Sequence, residues 1–206
     1  MEQKTRHVES PRAAYAAGKE VRNDYTYGDY LNWPDEERYE IIDGEVFDMT
    51  PAPLTVHQRI LLNLALPFGN YLKGKPCKLF IAPFDIRLPK ADEPDKDVRT
   101  VVQPDLVVIC EKIKIDRRGC RGAPDLAIEI LSPSTASKDS IRKLALYESH
   151  GVKEYWIINP ETETLTVFWL SEKGKYSPGK KYSKNESISP HIFPELKIQI
   201  SEIFEE

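Results

Sequence analysis

Nothing in this chain approaches the roughly 20 consecutive apolar residues that a bilayer-spanning helix needs, so no membrane partner is expected. The opening stretch, MEQKTRHVESPRAAYAAGKEVR, has no apolar core, which argues against a secretory signal. Cysteine is scarce. Cys77, Cys110 and Cys120 are odd in number and lack paired metal-ligand spacing, so no zinc module is expected, and the chain reads as a protein of a reducing cytoplasm. There is no surplus of positive charge either: 29 Lys and Arg against 33 Asp and Glu leave a net charge of -4. The chain as a whole does not attract a polyanion, so a nucleic-acid partner would have to be held by a local basic patch or by metal ions. Internal repeats and low-complexity segments are absent.

What remains is ordinary globular composition, 206 residues with 40% apolar and 30% charged, enough for one domain with a real core. Residues 1–24 are polar without a period and read as a flexible leader, with room for a short helix over the Ala-rich part. Residues 25–206 read as a single domain. A short helix over Tyr25–Trp33 ends at Pro34, and Tyr39–Met49 is a hairpin around Asp43-Gly44. A helix spans Val56–Leu72 with Thr55 as its cap; Ile60, Leu61, Leu64, Phe68, Tyr71 and Leu72 form its apolar face, and Pro67 should kink it. Strands are expected at Cys77–Ile81, Phe84–Leu88, Val102–Cys110 and Asp125–Leu131. A helix over Ser137–His150 stops at Gly151, and the strand Glu154–Ile158 follows at once, as in a crossover unit. Thr164–Leu170 and Lys175–Lys181 read as a peripheral hairpin, whose Lys-rich tract fits a guarded sheet edge better than a phosphate contact.

Two carboxylates interrupt the apolar strands. Asp105 begins one and Glu129 lies inside the next. An ionised carboxylate buried without a partner costs several kcal/mol, roughly, so the fold must bring a cation, a proton or a metal to each. The following helix lays Asp139, Lys143 and Tyr147 along one stripe, while Ile141, Leu144 and Ala145 would anchor its other face to the sheet. Two carboxylates, a strand carbonyl and an ammonium are the minimum kit for metal-dependent phosphodiester hydrolysis. Mg²⁺, with Mn²⁺ as a substitute, takes hard oxygen ligands, and the lysine stabilises charge on the phosphate or orients the water. Plainer roles stay open: a strand start for Asp105, a wet sheet face for Glu129, solvent for Lys143, a cap for His57, and the helix dipole for Asp139. Asp125 lies about 13 Å along the strand from Glu129 and cannot share its metal. Arg117, Arg118 and Arg121 fall between the two site strands, where they can meet a nucleic-acid backbone.

The ordered set YEIIDGEVFDM, VVQPDLVVIC, GAPDLAIEILSPST, KDSIRKLALYESHGVKEYWIINP and ISPHIFPELKIQISEIF resembles the Uma-two family of restriction-endonuclease-like proteins, within the PD-(D/E)XK nuclease superfamily. The resemblance runs from about Tyr25 to the C-terminus. It implies an α/β fold, a mixed, curved β-sheet flanked by helices. It also implies Asp105 as the motif aspartate, Glu129 as the second acid, and the Ile130 carbonyl as a further metal ligand. The motif lysine should stand two residues after Glu129, but Leu131 is there, and Lys143 is the candidate to replace it from the helix. Glu45 and His57 are expected to line the same cleft. The expected function is a Mg²⁺-dependent DNA endonuclease, with a homodimer needed if both strands are cut. The alternatives are RNA as substrate, or a scaffold that has kept the fold as a binding module without catalysis, which Leu131 favours.

Overall fold

The computed structural model describes residues 9–34, 36–49, 53–132 and 138–205, with the backbone alone for 138–140. Two helices, α1 (Pro11–Ala16) and α2 (Tyr27–Tyr30), precede the hairpin of β1 (Tyr39–Ile42) and β2 (Glu45–Asp48). The long helix α3 (Thr55–Leu72) leads into β3 (Lys78–Ile81), β4 (Ile86–Arg87), β5 (Val101–Val102) and β6 (Leu106–Ile109). Next come β7 (Ile115–Asp116), β8 (Gly119–Arg121), β9 (Leu126–Ile130), α4 (Lys138–His150) and β10 (Glu154–Asn159). The chain closes with β11 (Thr164–Trp169), β12 (Lys180–Ser183), β13 (Ser187–Ile188), β14 (Ile198–Gln199) and α5 (Ile200–Ile203).

The architecture is mixed α/β. One sheet runs β2-β1-β5-β4-β8-β7, a second runs β12-β11-β10-β9-β6-β3, and β13 pairs with β14 apart from both. Most pairings are antiparallel; β4 with β8 and β9 with β10 are parallel. The β9–β10 pair needs a crossover, and α4 supplies it, as the strand–helix–strand order predicts. One expected strand becomes two. Val102–Cys110 breaks at Gln103-Pro104-Asp105, leaving β5 in the first sheet and β6 in the second. Pro104 has no N–H to give a ladder and restricts Gln103, so the strand cannot run through. That break carries the chain from one sheet to the other and leaves Asp105 at the entrance of β6.

The layers follow from side-chain alternation. Leu126, Ile128 and Ile130 of β9 face α3 and α5, packing with Ile60, Leu64, Phe68, Trp156 and Ile200. Ala127, on the opposite face, packs with Val107, Tyr155, Ile86, Val102, Leu146 and Tyr147, which joins the second sheet to the first and to α4. Tyr25, Tyr27, Trp33, Tyr39, Ile41, Val98 and Val101 cover the far side of the first sheet. The β1–β2 turn has φ +53° at Asp43 and +90° at Gly44, the pair of left-handed residues that a two-residue hairpin needs.

Several expectations change. Thr55 is the first helical residue and caps nothing; Leu54 holds the cap position without a side-chain hydrogen bond. The arginine-bearing loop is the small hairpin β7–β8. In α4, Ile141 is 72% exposed and Ala145 is also exposed, while Lys143, Leu146 and Tyr147 are buried, so the helix faces inward with the stripe that carries its lysine. Cys77 and Cys110 are joined in a disulfide. They flank antiparallel strands paired as Lys78↔Ile109, which sets the two sulfurs opposite each other. The expectation of a reducing compartment rested on unpaired cysteines and loses that support. No helix among the described residues is long and apolar enough to cross a membrane.

Candidate active site

Two strand ends and two helices meet at one spot. β6 and β9 pair as Leu106↔Ile128, so one further step in the register puts Asp105 across from Glu129. Asp105 Oδ2 accepts the Ile130 N–H at 2.7 Å. Its Oδ1 lies 3.2 Å from Nε2 of His57, which enters from the first turn of α3. On the other side, Glu129 Oε1 accepts from Lys143 Nζ at 2.9 Å and from the Tyr147 hydroxyl at 2.8 Å. Lys143 and Tyr147 are one turn apart on α4, so a single helix delivers both donors to one oxygen. Glu129 Oε2 makes no hydrogen bond among the described residues.

Lys143 is shared. Its ammonium also donates to Glu40 Oε1 at 2.9 Å, and that oxygen accepts the Gln103 N–H at 2.8 Å. The Gln103 side chain continues the network, accepting from Arg38 at 2.8 Å and donating to Asp85 Oδ1 at 2.8 Å. Glu40 belongs to the first sheet and Glu129 to the second, while Gln103 and Asp105 lie in the break that joins β5 to β6. The site therefore spans the seam between the two sheets.

The electrostatics follow from burial and charge count. Burial opposes a charge on Lys143, but Glu129 and Glu40 outweigh it and hold its pKa well above the ordinary lysine value. Lys143 stays an ammonium and cannot serve as a base. Glu129 is raised, first by burial and then by Glu40 and Asp105, with Lys143 pulling the other way. For His57, burial lowers the pKa, yet Asp105, Glu129 and the Ile130 main chain together raise it above 6.5. Its Nδ1 is buried without a hydrogen-bond partner among the described residues.

The structure thus brings Asp105, Glu129, Lys143, His57 and the Ile130 main chain together. It does not bring Glu45. That side chain is exposed on the edge strand β2 and pairs with Arg142 at 3.1 Å, because the outward positions of an edge strand face water. The other strand of the hairpin, β1, supplies the missed residue, Glu40, which pairs across from Phe47. The signal was present: an ionisable residue inside the apolar run YEII, all four positions of which are buried. Arg117 and Arg118 sit on the β7–β8 turn, and neither guanidinium makes a hydrogen bond among the described residues. Arg121 is engaged, donating to the Glu93 carbonyl at 2.7 Å and lying 3.5 Å from Asp95. Asp125 accepts from the Cys110 N–H and from Lys153, a structural role away from the site. The Asp139 side chain is outside the described residues. A larger hollow, about 820 Å³ against α3 and α5, includes none of these groups.

The donor set suits a hard cation. Asp105 Oδ1, Glu129 Oε2 and the Ile130 carbonyl are all oxygens, and Mg²⁺ is usually held by one or two carboxylates with waters and substrate phosphate. Among the described residues, no group of three or more His, Cys, Asp or Glu side chains is placed to hold a metal ion.

A crystal structure from Anabaena variabilis, described as "a putative nuclease belonging to DUF820", superposes with a TM-score of 0.69 at 21% identity, over 87% of this chain and 97% of that one. An uncharacterized protein of Synechocystis sp. is 24% identical over 153 residues, 72% of this chain and 75% of the relative. The sequence model of the Uma2 (Uma-two) family, described as "putative restriction endonuclease", matches residues 27–201. With that match over most of its length and a nuclease-like fold beneath it, the chain belongs to the Uma2 family.

Proposed function

We propose that this chain is a metal-dependent endonuclease that hydrolyses phosphodiester bonds in DNA, with its lysine supplied from the helix after the second acid. One observation carries the reading: Asp105 and Glu129 meet at paired strand ends, with the Lys143 ammonium 2.9 Å from Glu129 although Leu131 stands at the motif position. Asp105, Glu129 and the Ile130 carbonyl would hold Mg²⁺ or Mn²⁺. When bound, the ion would polarise the scissile phosphate and lower the pKa of a coordinated water.

The remaining work falls to side chains. Lys143, kept charged by Glu40 and Glu129, stabilises the negative charge that grows on the phosphate oxygens as water adds and the ester oxygen departs. Tyr147 fixes the Glu129 rotamer by donating to Oε1, which leaves Oε2 for the cation. His57 holds Asp105 in the metal-free chain. Cutting both strands requires two such sites, hence a homodimer.

Nicking of supercoiled plasmid in Mg²⁺ tests the assignment. Asp105→Ala and Glu129→Ala should each reduce it by at least about 10³-fold, as loss of a principal charge-stabilising group does, with the circular dichroism spectrum unchanged. Cleavage that persists in purified Asp105→Ala protein refutes it. A non-catalytic scaffold instead predicts no Mn²⁺ binding by calorimetry, in wild type or in Glu129→Ala.

A further inference from the structure

The hydrogen-bonded network that begins at Lys143 ends in a second cavity. Gln103, which is buried, reaches from Glu40 to Asp85, and both Gln103 and Asp85 line a cleft of about 330 Å³ with Phe84, Arg117, Arg118 and Gly119. The cleft adjoins the proposed reaction centre by two routes. Gln103 is two residues before Asp105, a span of at most about 7 Å. The residue before the cleft wall, Ala82, donates its N–H to the Asp105 carbonyl at 3.0 Å.

Three features of the cleft select its occupant. Phe84 stacks on Phe80 with centroids 4.1 Å apart and planes 9° from parallel, a flat aromatic wall. Asp85 adds a carboxylate acceptor. Arg117 and Arg118 stand at the rim on a turn that is built to sit there. Cys120 N–H bonds the Asp85 carbonyl at 2.8 Å, and Gly119, at φ +130°, passes so close to that carbonyl that any Cβ would collide with it. Asp116, at the end of β7 and also in the lining, pairs with Arg87 at 2.6 Å; Arg87 is shared with Asp95, which lies 3.5 Å from Arg121, so two guanidiniums balance the two carboxylates beside the rim. A free phosphate fits this chemistry poorly, because the Asp85 carboxylate would repel it. A base with its phosphates fits all three: a π-face for the ring, an acceptor for an amino group, and cations for the backbone.

We propose that this cleft binds one unpaired nucleobase of the substrate strand, within one or two nucleotides of the scissile phosphate, and favours a base bearing an exocyclic amino group over thymine. The ring stacks on Phe84, the amino group donates to Asp85, and Arg117 and Arg118 take the flanking phosphates. This specificity pocket rests on the nuclease reading for its purpose but not for its detection.

The test uses the full chain and fluorescence anisotropy without divalent ions, with labelled oligothymidylate as one probe and the same strand carrying a single cytosine as the other. Wild type should bind the cytosine-bearing strand about ten-fold more tightly, the scale of one well-made base contact. Asp85→Asn should erase that preference. Phe84→Leu should weaken both probes, and Glu129→Gln should leave the preference intact. Equal affinity of wild type for the two strands, or a preference that survives in Asp85→Asn protein with wild-type thermal stability, overturns the proposal. Cleavage mapping in Mg²⁺ separates the two readings. A cytosine preference lost in Asp85→Asn upholds the pocket even if no variant cuts DNA, whereas cutting with no such preference upholds the nuclease and removes the pocket.

Discussion

At the scale of single residues, the shared lysine has the largest expected effect. Lys143→Met would leave Glu40 and Glu129 facing each other in a buried space without their cation. Breaking such a pair from one side costs about 3–5 kcal/mol. Urea denaturation near neutral pH should show that loss, and the loss should shrink in acid as the stranded carboxylates protonate. His57 gives a separate pH signature. Its folded pKa lies above the free value of 6.5, so the stability it contributes is complete below that value and is lost as pH rises through the raised one. Glu129, raised from 4.5, tilts stability in the same direction. In metal-free buffer the wild type should therefore lose stability as pH rises from 4.5 to about 7 through Glu129 and further above 6.5 through His57, and His57→Gln should lose less in the upper part; parallel curves would mean that the Asp105 contact does not form. The residues legible in advance, Asp105, Glu129 and Lys143, were acids in apolar strands and a lysine at helical spacing behind them. Glu40 carried the same mark, but Glu45, directly after a strong turn, drew attention away from it. Spacing within a hairpin does not say which strand faces the seam.

At the scale of elements, periodicity located α3, α4, the β1–β2 hairpin and the β9–α4–β10 crossover, because each answers to a local pattern. The break at Pro104 was readable in principle, since proline cannot continue a ladder, yet the apolar residues on either side of it read as one strand. The orientation of α4 was not readable. Ile141 and Ala145 look like an anchoring face until the buried carboxylates on the sheet make Lys143 the better inward residue. Strand register, which no local pattern encodes, decides the disulfide: Cys77 and Cys110 are 33 residues apart and meet because β3 and β6 pair antiparallel. Closing a loop of that size stabilises by about 3–4 kcal/mol in the chain-entropy view. Reductant, or Cys77→Ser with Cys110→Ser, should lower the melting midpoint by about 10 °C. A midpoint that does not move would mean that the two sulfurs are not bonded.

At the scale of the molecule, the ordered motifs made the family legible, and the match over residues 27–201 agrees with them. Composition left the substrate open, and the net charge of -4 explains why. Attraction for a polyanion lies in local groups such as Arg117 and Arg118, so Arg117→Ala with Arg118→Ala should flatten the salt dependence of DNA binding by about two units of slope, uniformly across sequences. The seam between the sheets has one further result. Glu40 and Lys143 are separated by 103 positions in the chain, and the groups between them come from both sheets and from α3. During synthesis the ribosome releases the hairpin long before α4, and a truncated or half-melted chain holds only scattered acids. Under the proposed activity, unfinished copies would be inert, since the proposed site comes together only when α4 docks.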